Sequence, residues 1–154
     1  MAGFETHLTL DDETVTAALG ARIAAALRPG DVVALSGDLG AGKTALARAI
    51  LWALGVMGHV PSPTFTLVQI YETPRLIVHH FDLYRVEDES ELRELGLDEA
   101  KDDGAVLIEW PDHGMPEAWS NDALTVSLSA IGETARQAVI AGPERWRSLA
   151  DFPS

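Results

Sequence analysis

The stretch Gly37-Asp-Leu-Gly-Ala-Gly-Lys-Thr44 holds residue types that grip a phosphate. Gly37, Gly42, Lys43 and Thr44 fit the spacing G-x-x-x-x-G-K-[ST]. Glycines let the loop, with Asp38, Leu39, Gly40 and Ala41 inside it, turn its backbone N–H groups inward around phosphate oxygens. Ala45 belongs to the helix that follows, and a helix N-terminus favours negative charge. Lys43 is expected to reach the β- and γ-phosphates, and Thr44 to offer its hydroxyl to Mg²⁺. The bland alternative, a Gly-rich turn with an incidental Lys-Thr, does not explain an apolar strand before the loop and a helix after it. The chemistry indicated is binding of a nucleoside triphosphate, followed by transfer or hydrolysis of its terminal phosphoryl group.

Such a loop works with an acid that holds the metal, usually at the end of a neighbouring apolar strand. Two runs end that way: "LIVHHFD" on Asp82 and "AVLIE" on Glu109. A lone carboxylate after a strand is commonly a cap or turn former, but two of them beside a phosphate loop point to a cation. We read Glu109 and Thr44 as the Mg²⁺ pair. Asp82 then either binds a metal-bound water or orients an attacking water; residue type alone leaves open which acid does which. Lys43, Asp82 and Glu109 are thus the catalytic candidates, and Thr44, Asp82 and Glu109 the metal candidates. "PSPTFTL" (61–67) admits two readings. One, favoured by residue type, is a rigid entry into an edge strand; the other is a sensor whose Thr64 hydroxyl meets the γ-phosphate or the metal. His79 and His80 precede Asp82, but neighbours on a strand point to opposite faces. The pair is therefore expected to split, one ring in the core and one at the surface. Trp110 either belongs to the core or flanks the nucleotide.

The elements that must position these residues are legible in the periodicity. "HLTL" near the start reads as a short strand. From Asp11 a helix is expected, with Val15, Leu19, Ile23, Ala26 and Leu27 on one face and Pro29-Gly30 as its stop. "DVVALS" suits a buried parallel strand. The helix after the loop carries Leu46, Ile50 and Leu54 on one face and ends at Gly55. "TFTLVQIYE" (64–72) and "RLIVHHFDLY" (75–84) read as an antiparallel pair joined at Thr73-Pro74. The acidic block 87–103 carries one or two short helices, "AVLIEW" (105–110) a buried strand, and 123–130 and 135–142 two strands around Gly132. "PERWRSLAD" reads as a short closing helix. The expected fold is α/β: a P-loop NTPase-like three-layer sandwich with a mixed sheet, parallel around the phosphate loop.

Composition bounds the setting. The 154 residues fit one domain. With no cysteine, disulfides, thiolate catalysis and cysteine-based zinc sites are excluded. Apolar runs are too short for a membrane span, and the start lacks a basic region followed by an apolar stretch, so no signal peptide and a cytoplasmic setting are expected. Lys and Arg total 11 against 24 Asp and Glu, a net charge of −13, with no basic cluster. Nucleic-acid binding through this chain's own surface is therefore disfavoured, because phosphate neutralisation dominates that affinity. The block "EDESELRELGLDEAKDD" reads as a solvated helix face, with a docking surface for a basic partner as the alternative.

Four stretches in order, "GDLGAGKT", "SPTFTL", "HHFDLYR" (79–85) and "IEWP" (108–111), together resemble the small bacterial TsaE proteins, the ATPase component of tRNA threonylcarbamoyladenosine (t6A) synthesis. The resemblance runs from about residue 8 to about residue 140. It implies binding of ATP and Mg²⁺, slow ATP hydrolysis by the chain alone, and association with a TsaD-type transferase subunit and a TsaB-type partner. Contact with tRNA would come only through that complex, which ATP turnover would reset between rounds. By the same resemblance Lys43 and Thr44 take their phosphate-loop roles, and Asp82 and Glu109 are the essential acids. Trp110 falls on a tryptophan near the nucleotide, Thr64 on the threonine of the "SPT" segment, and Arg136 on a late-strand arginine. The tail after Gly142 matches none of these motifs. ATP rather than GTP is indicated, since "NDAL" (121–124) is not the Asn-Lys-x-Asp segment of a GTPase. The alternative is a small-molecule P-loop kinase, but such enzymes bring arginines in a mobile lid, and here Arg85, Arg93, Arg136, Arg145 and Arg147 are scattered. A nucleotide-gated binding module with negligible turnover is the remaining reading, against which both acids speak.

Overall fold

The run Val32–Ser36 is apolar on both of its faces, so it must be covered from both sides. In a computed structural model, which describes residues 3–38, 40–61, 63 and 66–152, that run is β2, the middle strand of seven. The others are β1 (Gly3–Leu10), β3 (Val68–Glu72), β4 (Ile77–Asp82), β5 (Ala105–Glu109), β6 (Leu124–Ala130) and β7 (Arg136–Pro143). They lie in the order β1-β7-β6-β2-β5-β4-β3. β6, β2, β5 and β4 run parallel, while β7 pairs antiparallel with β6 and β1, and β3 antiparallel with β4. The sheet is mixed and parallel around the phosphate loop, as expected.

Side-chain alternation sorts the core into two layers. Val33, Leu35, Leu107, Val78 and Val126 face α1 (Glu13–Ala26) and α2 (Lys43–Ala53), against Leu19, Ile23, Leu46 and Ile50. Val32, Ala34, Phe81, Val106 and Ile108 face the other way, onto Leu97 and Ala100 of α4 (Leu97–Asp103) and Leu92 of α3 (Glu89–Glu94). Helices thus cover both faces of the sheet. In the acidic block, Leu92, Leu97 and Ala100 turn inward while Glu87, Glu94, Asp98, Glu99 and Asp102 are exposed, the arrangement of a solvated helix face.

Asp12 caps α1, its Oδ1 accepting from the Val15 N–H. At Gly20 the two helices come so close that a Cβ there would stand 2.5 Å from the Ala49 Cβ. The first strand is longer than "HLTL", because all of Gly3–Leu10 pairs with β7. The tail, which matches no motif, packs onto this edge. Its 3-10 turns (Glu144–Asp151) bury Trp146 and Leu149, Phe152 follows them into the core, and Arg22 of α1 donates to the Ser148 carbonyl.

Two expectations need correction. β3 spans Val68–Glu72, and the described residues Thr66 and Leu67 are not part of it: Leu67 adopts φ +68° and its N–H donates to the Pro63 carbonyl, which extended strand does not allow; residues 64 and 65 lie outside the described residues. The histidine pair does split between faces, but neither ring is at the surface. Both faces of β4 are covered, so His79 and His80 are both buried. His79 meets Asp103 at the end of α4, and His80 lies on the α2 side of the sheet.

Candidate functional site

The loop leaves β2 at its C-terminal end, where ligands bind in open α/β sheets. Gly37 has φ +140°, and a Cβ there would meet the Leu128 carbonyl oxygen at 2.4 Å, so only glycine lets the loop pass β6. Gly42, at φ +106°, turns the chain into α2, and no side chain caps that helix. The first-turn N–H groups therefore stay available to an anion.

Lys43 is buried and folds back along the loop, donating to the carbonyls of Gly37 (2.6 Å) and Asp38 (2.9 Å). Its Nζ stands 4.2 Å from the ring centroid of Trp110, a cation–π contact. Burial pulls its pKa below the ordinary 10.5, and the charges of Glu109, Asp82, Asp38 and Asp112 only partly oppose that shift.

Glu109 and Asp82 face each other in register at the ends of neighbouring parallel strands. Both are buried. The Thr44 hydroxyl donates to Glu109 Oε1 at 2.8 Å, joining the loop to β5. His80 Nε2 lies 2.7 Å from Glu109 Oε2. Asp82 Oδ1 accepts from the Tyr84 N–H at 3.0 Å. Trp110 follows Glu109 with φ +60°, one of two non-glycine residues at positive φ among the described residues. The other, Leu67, takes the Asp82 N–H on its carbonyl. Each acid-bearing strand end therefore adjoins a residue held in a sparsely populated conformation, which costs on the order of 1–3 kcal/mol.

The donor set suits a hard cation. Thr44, its O–H pointed at Glu109, keeps its oxygen lone pairs, and the carboxylate retains acceptor capacity. Among the described residues no group of three or more His, Cys, Asp or Glu could hold a metal by itself. Two protein oxygens beside a phosphate loop match Mg²⁺, which keeps waters and substrate phosphates in its shell.

The structure thus brings together Lys43, Thr44, Glu109 and Trp110, with Asp82 beside Glu109. Arg136 lies on the other side of the loop, its guanidinium donating to the Gly40 carbonyl and packing near Gly42, with Nε buried and unpartnered among the described residues. Gly37, Asp38, Gly40, Ala41, Gly42 and Ala45 form the loop and the start of α2, whereas Leu39 and Thr64 lie outside the described residues. Beside Gly42, Ala45 and Arg136 opens a cavity of about 270 Å³, walled also by Glu13 and Thr16 of α1 and Glu133 and Thr134 of the β6–β7 turn. Sequence reasoning missed those four residues, and no local signal marks them, because they meet only through the fold. It also missed the ring cluster of Tyr84, Trp110 and His113, with Tyr84 and Trp110 centroids 4.8 Å apart.

A seven-stranded mixed sheet, helices on both faces and a glycine loop joined to a strand-end acid define a P-loop NTPase-like α/β protein. The family model "Threonylcarbamoyl adenosine biosynthesis protein TsaE" matches residues 10–138, and the chain belongs to the TsaE family. It is similar to the tRNA threonylcarbamoyladenosine biosynthesis proteins TsaE of several bacteria. That of Rickettsia felis is 37% identical over 94% of this chain and 85% of the relative. That of Bacillus subtilis is 41% identical over 79% and 76%, and that of Streptomyces coelicolor 40% over 83% and 91%. The crystal structure of Bacillus subtilis YdiB superposes with a TM-score of 0.78 at 27% identity, covering 98% of this chain and 95% of that one. No described helix is long and apolar enough to cross a membrane.

Proposed function

We propose that this protein is a Mg²⁺-dependent ATPase serving t6A modification of tRNA, acting in the cytoplasm through a TsaD-type transferase subunit and a TsaB-type partner. The observation that carries the reading is the Thr44–Glu109 hydrogen bond, made across the fold beside the Lys43 ammonium. A hydroxyl and a carboxylate brought together beside that loop support a metal site for a loop-bound triphosphate. Thr44 and Glu109 would hold Mg²⁺, which neutralises charge on the β- and γ-phosphate oxygens. Loop amides, the start of α2 and Lys43 hold the phosphates. Asp82, one strand over, orients the attacking water. The cavity beside Gly42 and Ala45 takes the nucleoside, with Arg136 at its phosphate end. Trp110 is not among that cavity's walls, so its place is over Lys43 at the terminal phosphate. Net charge −13 suits a factor that reaches tRNA through proteins.

The test is ATP turnover by the purified chain, alone and with the transferase subunits, in Mg²⁺ and in EDTA. Turnover should be slow alone, faster in the complex and absent in EDTA. Glu109→Ala should leave ATP binding measurable and abolish turnover in the complex; unchanged turnover would refute the role given to Glu109. A phosphorylated sugar, acid or nucleoside among the products would replace this reading with a kinase.

A further inference from the structure

His80 is completely buried. Nε2 lies 2.7 Å from Glu109 Oε2, while Nδ1 has no hydrogen-bond partner among the described residues. A buried polar atom without a partner is costly, so an apolar side chain of like volume would be the cheaper filler unless Nε2 does something specific. A carboxylate can only accept, so toward it Nε2 is the donor, and a neutral ring donating there keeps a lone pair rather than an unsatisfied N–H on Nδ1. The Glu109 carboxylate is then held by two donors from different elements, Thr44 of α2 on Oε1 and His80 of β4 on Oε2. Any rotation of the carboxylate breaks at least one of them.

We propose that His80 is a positioning residue: it locks the rotamer of Glu109 so that the edge shared with Thr44 is presented to the metal. The inference rests on the reading of Glu109 and Thr44 as the metal pair. The i, i+2 spacing of His80 and Asp82 puts both on one face of β4, so one strand supplies both a prop for one acid and the second acid itself. Partners of this kind behind a metal-binding side chain are typically worth 10- to 100-fold in metal affinity.

The experiment measures the affinity of a non-hydrolysable ATP analogue by calorimetry, with Mg²⁺ and with EDTA, in the parent protein and in three variants. A Gln amide nitrogen can take the place of Nε2, whereas an Asn nitrogen falls where Nδ1 was and Leu has no donor. His80→Gln should keep the Mg²⁺-dependent gain within about 3-fold of the parent. His80→Asn and His80→Leu should lose about 10-fold or more of it, with the EDTA affinity unchanged. Adding His80→Leu to a Glu109→Gln background should cost nothing further, because the two residues act as one unit. A parent-like Mg²⁺ gain in His80→Leu overturns the proposal. So does a His80→Gln as impaired as His80→Asn, or an equal loss with and without Mg²⁺, either of which assigns the ring to packing. A parent that gains nothing from Mg²⁺ would instead overturn the metal reading itself.

Discussion

Lys43 holds its charge in a place that works against it. Two loop carbonyls and the face of Trp110 receive the ammonium, four carboxylates lie within electrostatic reach, and burial still lowers its pKa. A phosphate is the partner that would complete this environment. Lys43→Ala should weaken ATP binding by about 1.5–3 kcal/mol, the worth of a charge-assisted contact, or roughly 10- to 150-fold in Kd by calorimetry. The sign of the pH effect follows from the same burial. The free protein loses the Lys43 proton below the ordinary 10.5, so ATP affinity should fall on the alkaline side earlier than an exposed lysine would dictate. Lys43→Ala should flatten that decline, and an identical alkaline profile in the two proteins would remove Lys43 from the phosphate site. At this scale the sequence was most legible. The loop spacing singled out Lys43 and Thr44, and apolar runs that stop on Asp82 and Glu109 put both acids at strand ends, where they lie in register. His80 was not found: a strand residue beside another histidine reads as half core and half surface unless both sheet faces are known to be covered.

Between residue and fold stand the helices that aim the loop. α2 begins at the loop and is held to α1 through the close approach of Gly20 to Ala49. Gly20→Val should force the helices apart, because its Cβ would meet the Ala49 side chain and backbone within 3.0 Å. Overpacking of this kind costs about 1–3 kcal/mol, more than the helix gains by losing a glycine, and urea unfolding measures it. Stability equal to that of the parent would mean that the two helices shift freely. Strong periodicity and stop signals placed α1 and α2 correctly. They failed at the start of β3, where Thr66 and Leu67 read as strand, yet the Leu67 N–H turns back to the Pro63 carbonyl instead. Propensity counts side chains one at a time and cannot see a carbonyl four residues back.

At the scale of the whole molecule, charge and topology carry the argument. With net charge −13, the chain alone should not retain tRNA on a filter in 0.15 M salt, whereas the assembled transferase complex should. Tight salt-sensitive binding by the isolated chain would contradict an indirect route to tRNA. Fold class was legible because strand and helix patterns alternate around the loop. The cavity beside Gly42 was not, since its walls come from α1, α2 and the β6–β7 turn and meet only once the sheet is assembled. The same holds for the tail, whose Trp146 and Leu149 find their place only against β1 and α1. That edge has a bearing on synthesis at the ribosome. β1 emerges before every other strand of the sheet, and its hydrogen-bonding partner β7 after all of them. At about 5–20 residues per second, the interval from Leu10 to Arg136 lasts on the order of 6–25 s. For that time Phe4, Leu8 and Leu10 belong to a strand with no neighbour in the sheet. Those seconds are when a nascent chain of this topology is open to chaperone capture or to pairing with another copy of itself.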